Sequence, residues 1–179
     1  IWTPGISGPD NCALLSWMGV DIFDLSRSRH ASSLGILLTE SGPRFPEDSC
    51  GEETSMQSQC EHWIGAISET RSAIRNGTLR ELAERSSTSS PKSVEHLRWH
   101  DRLTGKLSEE IGILSSSENS GRKMRCYSFE SRNDPAIQDW RRRVSELHMP
   151  PEHQRDLLVL LPCSAKKPYK LSQSHSRFR

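Results

Sequence analysis

At 179 residues the chain is long enough to bury the core of one ordinary domain or of two small ones. Yet 33% hydrophobic residues and a mean hydropathy of −0.67 mean that much of it is solvated or waits for surfaces supplied from elsewhere. No signal-peptide pattern and no apolar run near 18 residues occur in it, so no membrane span is expected, and the net charge is +1.

Charge is nevertheless unevenly placed. Residues Leu157 to Arg179 carry five Lys or Arg and no Asp or Glu, and "GRKMRC" and "DWRRRV" lie upstream. An anionic partner would dock on this C-terminal third, unless these are solvated surface cations. The five cysteines, Cys12, Cys50, Cys60, Cys126 and Cys163, form an odd, scattered set. That argues for a reducing, cytoplasmic compartment rather than a disulfide framework. The chain opens on "IWTPGIS", without an initiator Met and with apolar residues first, so it is expected to be an internal piece of a longer protein.

In chain order, "NCALLSWMG" reads as a short helix ended by Gly19, and "VDIFD" reads as a strand. Asp24 then lies at a strand's C-terminal end, where ligand chemistry collects in α/β folds; capping of the next turn is the simpler role. "GILLTESGPRFPEDSCGEETSMQSQC" starts as an apolar run and breaks into a loop. From about Gln59 the helical period of Trp63, Ile64, Ile67 and Ile74 runs to Asn76 and Gly77. Thr78 to Glu81 have capping-box spacing for a second helix. Ser90 and Pro91 open a third, carrying Val94, Leu97 and Leu103.

The Ser- and Gly-rich stretch between Ser115 and Lys123 is the expected linker, which makes 1–114 one domain and 124–179 another. Asp134 and Pro135 open a helix with Ile137, Trp140, Val144 and Leu147 on one stripe, ended by "MPP". "LLVLL", Leu157–Leu161, has the unbroken apolar character of a buried parallel strand.

Two constellations carry chemistry. Pro162 forces a turn after the expected strand and presents Cys163 at the mouth of the sheet, with Lys166, Lys167 and Lys170 close by to favour the thiolate. Ser172 and His175 follow at the spacing of one helical turn and offer a hydroxyl and an imidazole. The competing reading makes Cys163 a small buried hydrophobe. The second constellation is a metal reading, in which Cys50, Cys60 and His62 hold zinc. Its C-x9-C-x-H spacing is looser than a zinc knuckle and needs a fourth ligand, such as His30 or Cys126. Arg71, Arg75, Arg80 and Arg85 recur at helical intervals and either contact phosphates or pair with Glu81 and Glu84.

"PCSAKKPYKLSQSH" resembles the signature P-C-x3-K-P-Y-x2-S-x2-H of the archaeosine synthase family, archaeal tRNA-modifying paralogues of the tRNA-guanine transglycosylases. Pro162, Cys163, Lys167, Pro168, Tyr169, Ser172 and His175 meet every fixed position. Upstream, "GVDIFDLSRSRHASSLGILLTESG" is similar to the transglycosylase G-V-D-x-F-D segment and the turn before the zinc loop. "RSAIRNGTLRELAERSS" resembles the helices that follow that loop. The stretch Arg102 to Cys126 carries no match.

The resemblance implies an α/β fold: the C-terminal βα elements of a transglycosylase-like (β/α)8 barrel, then the start of a second α/β domain. It implies addition of a lysine amine to the nitrile of 7-cyano-7-deazaguanine in the tRNA D-loop. The implied partners are tRNA, free lysine and a radical-SAM enzyme, with a homodimer left open. Asp24 aligns with the transglycosylase nucleophile as a positional match. The zinc loop departs from the family's C-x-C-x2-C pattern with a later His. Cys163 would attack the nitrile, His175 or Tyr169 would protonate its nitrogen, and Lys167 would hold phosphate or tune the thiol. Base exchange and non-catalytic tRNA binding are the alternatives.

Overall fold

The computed structural model describes residues 1–47, 54–111, 123–165 and 169–178. These form two compact units, Ile1–Arg142 and Arg143–Arg179. The first is a mixed, mainly helical body around a two-stranded sheet: α1 (Cys12–Trp17), α2 (Ser26–Ser33), β1 (Leu37–Thr39), β2 (Gly42–Arg44), α3 (Met56–Arg75), α4 (Leu79–Ser87), α5 (Pro91–Ile111) and α6 (Pro135–Arg142).

Small apolar residues let α1 sit deep in this unit. Its Cys12, Ala13 and Leu14 are buried, and it packs against α3 and α4. Cys12 clusters with Trp63 and Ala66, with Phe23 against them, while Ala13 meets Ala73, Leu82 and Leu79. Burial pushes the Cys12 thiol above its ordinary pKa, so this cysteine behaves as a small hydrophobe. Gly19 closes the turn after α1 at φ 92°, a conformation glycine reaches without steric cost.

The expected strand "VDIFD" is reduced to a single parallel bridge between Trp2 and Ile22. The expected loop after Leu37 instead starts with an antiparallel hairpin, in register Leu37↔Arg44, Leu38↔Pro43 and Thr39↔Gly42. The fully buried amide of Gln59 on α3 substitutes for a neighbouring strand: its Nε2 donates to Ile36 O (2.7 Å) and its Oε1 accepts from Leu38 N (3.1 Å). A helix side chain thus satisfies backbone groups that a sheet edge would otherwise bury unpaired. The capping box at Thr78 does not form. The Thr78 hydroxyl donates to Ala73 O (3.4 Å), and Glu81 accepts from Arg125 N (3.2 Å).

The strongest polar feature is Arg80, 4% exposed. Its guanidinium donates to Glu84 Oε2 (3.2 Å), Asp101 Oδ2 (2.8 Å) and Glu130 O (3.0 Å). The other oxygen of Glu84 accepts from Ser128 N (2.6 Å), Ser128 Oγ (2.7 Å) and Ser131 Oγ (2.6 Å). This network binds α4 and α5 to the short 3-10 helix Phe129–Asn133. The compact first unit runs on to Arg142, and of the expected linker at 115–123 residues 115–122 lie outside the described residues. Burial raises the Asp101 carboxyl to about 6 despite its guanidinium partner. A carboxyl raised in the fold contributes stability below its unfolded value near 4 and loses that contribution as pH rises through about 6.

Asp134 does cap α6: its Oδ1 accepts from Ala136 N (2.8 Å) and its carbonyl from Gln138 N (2.9 Å). The apolar stripe beyond it finds no cover among the described residues, since Trp140, Val144 and Leu147 are all more than half exposed. Leu157–Leu161 form no strand and are 48 to 86% exposed. A parallel strand exists only between hydrogen-bonding neighbours, and the described residues offer this segment none. Among the described residues no helix is long and apolar enough to cross a membrane.

Glu84→Ala should destabilise the chain by about 3–5 kcal/mol, the cost of breaking a buried ion pair and leaving the Ser128 and Ser131 donors without their acceptor. Urea unfolding followed by circular dichroism measures it. Limited proteolysis should cut the variant first between residues 123 and 134, which Glu84 tethers.

Candidate active site

The motif's described members fold into a small cluster within the second unit. A turn of 3-10 helix at Tyr169–Leu171 leads, through Ser172, to another at His175–Phe178. Backbone bonds from Ser172 N to Tyr169 O (2.9 Å) and from His175 N to Ser172 O (3.1 Å) wind this segment tightly. The winding stacks the His175 ring on that of Tyr169, with centroids 4.6 Å apart and planes 27° apart. His175 Nε2 lies 2.8 Å from the Pro162 carbonyl. A carbonyl only accepts, so Nε2 carries the proton of this bond. Cys163 is exposed, and its Sγ lies 3.6 Å from the Tyr169 phenol oxygen. The thiol's bond and charge raise the phenol above its ordinary pKa of 10.

Ser172 is buried, and its hydroxyl meets Ser164 Oγ (2.6 Å) and Ser174 Oγ (2.7 Å). The pairing expected from the Ser172–His175 spacing is therefore replaced by a serine chain and a Tyr–His stack. A 3-10 turn carries side chains at different angles from those of an α-turn. Ser164, a variable position of the motif, is a tether that sequence reasoning missed, because nothing in its spacing marks it. Lys167, with Lys166 and Pro168, lies outside the described residues.

Asp24 belongs to the first unit. Its Oδ1 accepts from Ser26 N (2.8 Å) at the start of α2, and its Oδ2 from Gly5 N (2.9 Å). The Ser26 bonds, then that from Gly5, lower its pKa to about 2. Here the carboxylate caps a turn and ties the N-terminal loop to α2.

The metal reading finds no support in the described residues. Cys50 lies outside them. Cys60 and His62 are two positions apart on α3, a separation that turns side chains to different faces of a helix. His62 Nδ1 is engaged by Glu40 Oε2 (2.8 Å). No group of three His, Cys, Asp or Glu converges among the described residues. The phosphate reading of the arginines fails at Arg80, which is buried, and Arg85 pairs with Glu69 (2.6 Å). A cleft of about 310 Å³ lined by Ala13, Glu40, Glu69, Thr70 and Arg85, among others, contains none of the expected catalytic residues.

Residues 137–179 match a family described as a domain of unknown function (DUF5591). The chain is similar over nearly its whole length to archaeosine synthases. It is 27% identical to archaeosine synthase subunit alpha of Methanosarcina acetivorans, the match covering 99% of this chain and 31% of that protein. It is 29% identical to archaeosine synthase of Methanocaldococcus jannaschii, over 99% of this chain and 28% of the relative. With archaeosine synthase of Haloferax volcanii it shares 29% identity, over 98% and 32%. The chain thus spans 28 to 32% of the length of these relatives. No solved structure matches it.

The depressed Asp24 pKa predicts a pH-dependent tether. A lowered carboxylate contributes stability above its unfolded value near 4 and loses it as pH falls toward 2. Asp24→Ala should lower the melting temperature at pH 7, and the gap from wild type should close near pH 2 in thermal melts.

Proposed function

We propose that this chain is part of an enzyme of tRNA modification in archaeosine biosynthesis, and that its second unit contributes the group that adds lysine to a nitrile on the modified base. The observation that carries the reading is the motif's convergence: Cys163 Sγ lies 3.6 Å from the Tyr169 phenol, and the phenol's ring rests on His175. Similarity to archaeosine synthases over 98 to 99% of the chain supports the substrate class.

The substrate on this reading is 7-cyano-7-deazaguanine in the D-loop of tRNA. A nitrile carbon is electrophilic but slow, so it needs a strong nucleophile and a proton for its nitrogen. The Cys163 thiolate forms the S–C bond, one π pair moves onto nitrogen, and that nitrogen takes a proton, which leaves a thioimidate. The amine of lysine then adds to the same carbon and the C–S bond breaks, so that Cys163 departs as thiolate and the amine's extra proton stays on the product, the amidinium form of the amidine. The product is a lysine-substituted amidine, which a radical-SAM partner would cleave to archaeosine. Lys167 is assigned to phosphate binding or to tuning the thiol. No step is routed through zinc.

The domain scheme goes with this reading. Residues 1–114 would be the last βα elements of a transglycosylase-like barrel, 115–123 a linker and 124–179 the start of a synthase-specific domain. On this scheme the isolated chain is inactive, because an incomplete barrel leaves sheet edges and pocket open.

Two assays on the whole enzyme test the function. Labelled lysine should enter tRNA that carries the nitrile base, and Cys163→Ala should abolish the uptake. Uptake of labelled free base into unmodified tRNA instead would make this a base-exchanging transglycosylase. Uptake in neither assay, with tRNA retained on a filter and released by salt, would make it a tRNA-binding protein.

A further inference from the structure

The two ionisable rings of the motif are not equivalent in their surroundings. Sγ of Cys163 meets the Tyr169 phenol at 3.6 Å, with the Ser164 carbonyl next at 4.0 Å. His175, by contrast, spends Nε2–H on the Pro162 carbonyl, immediately before Cys163, and lays its ring face on Tyr169. It grips both sides of the thiol–phenol contact: the backbone that presents the sulfur and the ring that presents the hydroxyl. His175 is buried whereas Cys163 is exposed, as expected of a support beneath a reactive group.

We infer that Tyr169 is the proton partner of Cys163, donating its hydroxyl to the thiolate, and that His175 is a positioning residue that holds the phenol and Pro162 in register. This rests on the reading of Cys163 as the nucleophile and divides the labour left open between the two rings. In the addition step the phenol O–H bond breaks as the nitrile nitrogen takes the proton, and solvent water returns a proton to the phenolate. Donation to a thiolate stabilises the charge on sulfur, so removing the donor should change how readily that sulfur reacts. Among the described residues, the Tyr169 phenol is the titratable group that contacts Sγ, and His175 backs the phenol's ring.

The test is the rate at which iodoacetamide alkylates Cys163 at one neutral pH in the full chain. Mass spectrometry of its peptide separates it from the other cysteines. Tyr169→Phe keeps the ring on His175 and removes the hydroxyl, with its contacts to Sγ and to the Ser164 backbone. Alkylation of this variant should slow several-fold. His175→Ala should slow it as well by releasing the phenol, and the double variant Tyr169→Phe/His175→Ala should be no slower than Tyr169→Phe alone. An unchanged rate in Tyr169→Phe overturns the inference. So does a further slowing in the double variant, since His175 would then act on the thiol by a route other than the phenol. These readouts use neither tRNA nor lysine. The expected rates alongside failed lysine uptake would therefore reject the proposed reaction and leave the thiol–phenol pair standing.

Discussion

A guanidinium withdrawn from water holds its place only if several acceptors replace its hydration at once, and that constraint organises the first unit. Arg80 finds one a turn ahead on its own helix, Glu84, and two on other elements, Asp101 on α5 and the carbonyl of Glu130 on the following 3-10 helix. The latter two are useful only if their elements dock, so the charge acts as a geometric specification. Arg98 adds an ion pair from α5 to Glu130 at 2.7 Å. Among the described residues the apolar core mixes alanines and leucines in equal number with Cys12, Val20 and Trp63, and the small side chains Ala13, Ala66 and Ala73 let α1, α3 and α4 approach.

The second unit is organised differently. Its described residues form no extended apolar core, and its five-residue run Leu157–Leu161 is exposed. What order it has near Cys163 comes from short-range bonds: a wound backbone, a serine chain and a pair of stacked rings. The result keeps the sulfur exposed while burying Ser172 and His175 behind it.

Legibility divided along the same lines. The helices α1, α3 and α5 were readable from Gly19, Gly77 and Pro91, whose backbone preferences are local, but α2 carried no such signal, and α3 buries Gln59, Trp63, Ala66, Thr70 and Ala73 instead of the expected isoleucines, leaving Ile64 and Ile74 more than half exposed. The hairpin was not: Gly42 and Pro43 read as loop residues, and β1's edge is completed by the Gln59 side chain, 21 residues away from Leu38. The helical reading of Arg80 as a surface cation failed because two of its three acceptors lie 21 and 50 positions downstream. At Leu157–Leu161 the apolar run was read as a strand, but composition can only prepare a strand, and its partners must be present to make one.

By itself, then, the sequence determined the helix boundaries that local backbone chemistry controls, and it marked the stretch from Pro162 to His175 by residue type and spacing. Only the tertiary structure decided which of those residues meet: Tyr169 with Cys163, His175 with Pro162, and Ser172 with Ser164 rather than with His175. Spacing along a chain becomes distance only once the turn type is known. Here a 3-10 winding, set by backbone hydrogen bonds to Tyr169 and Ser172, chose the partners.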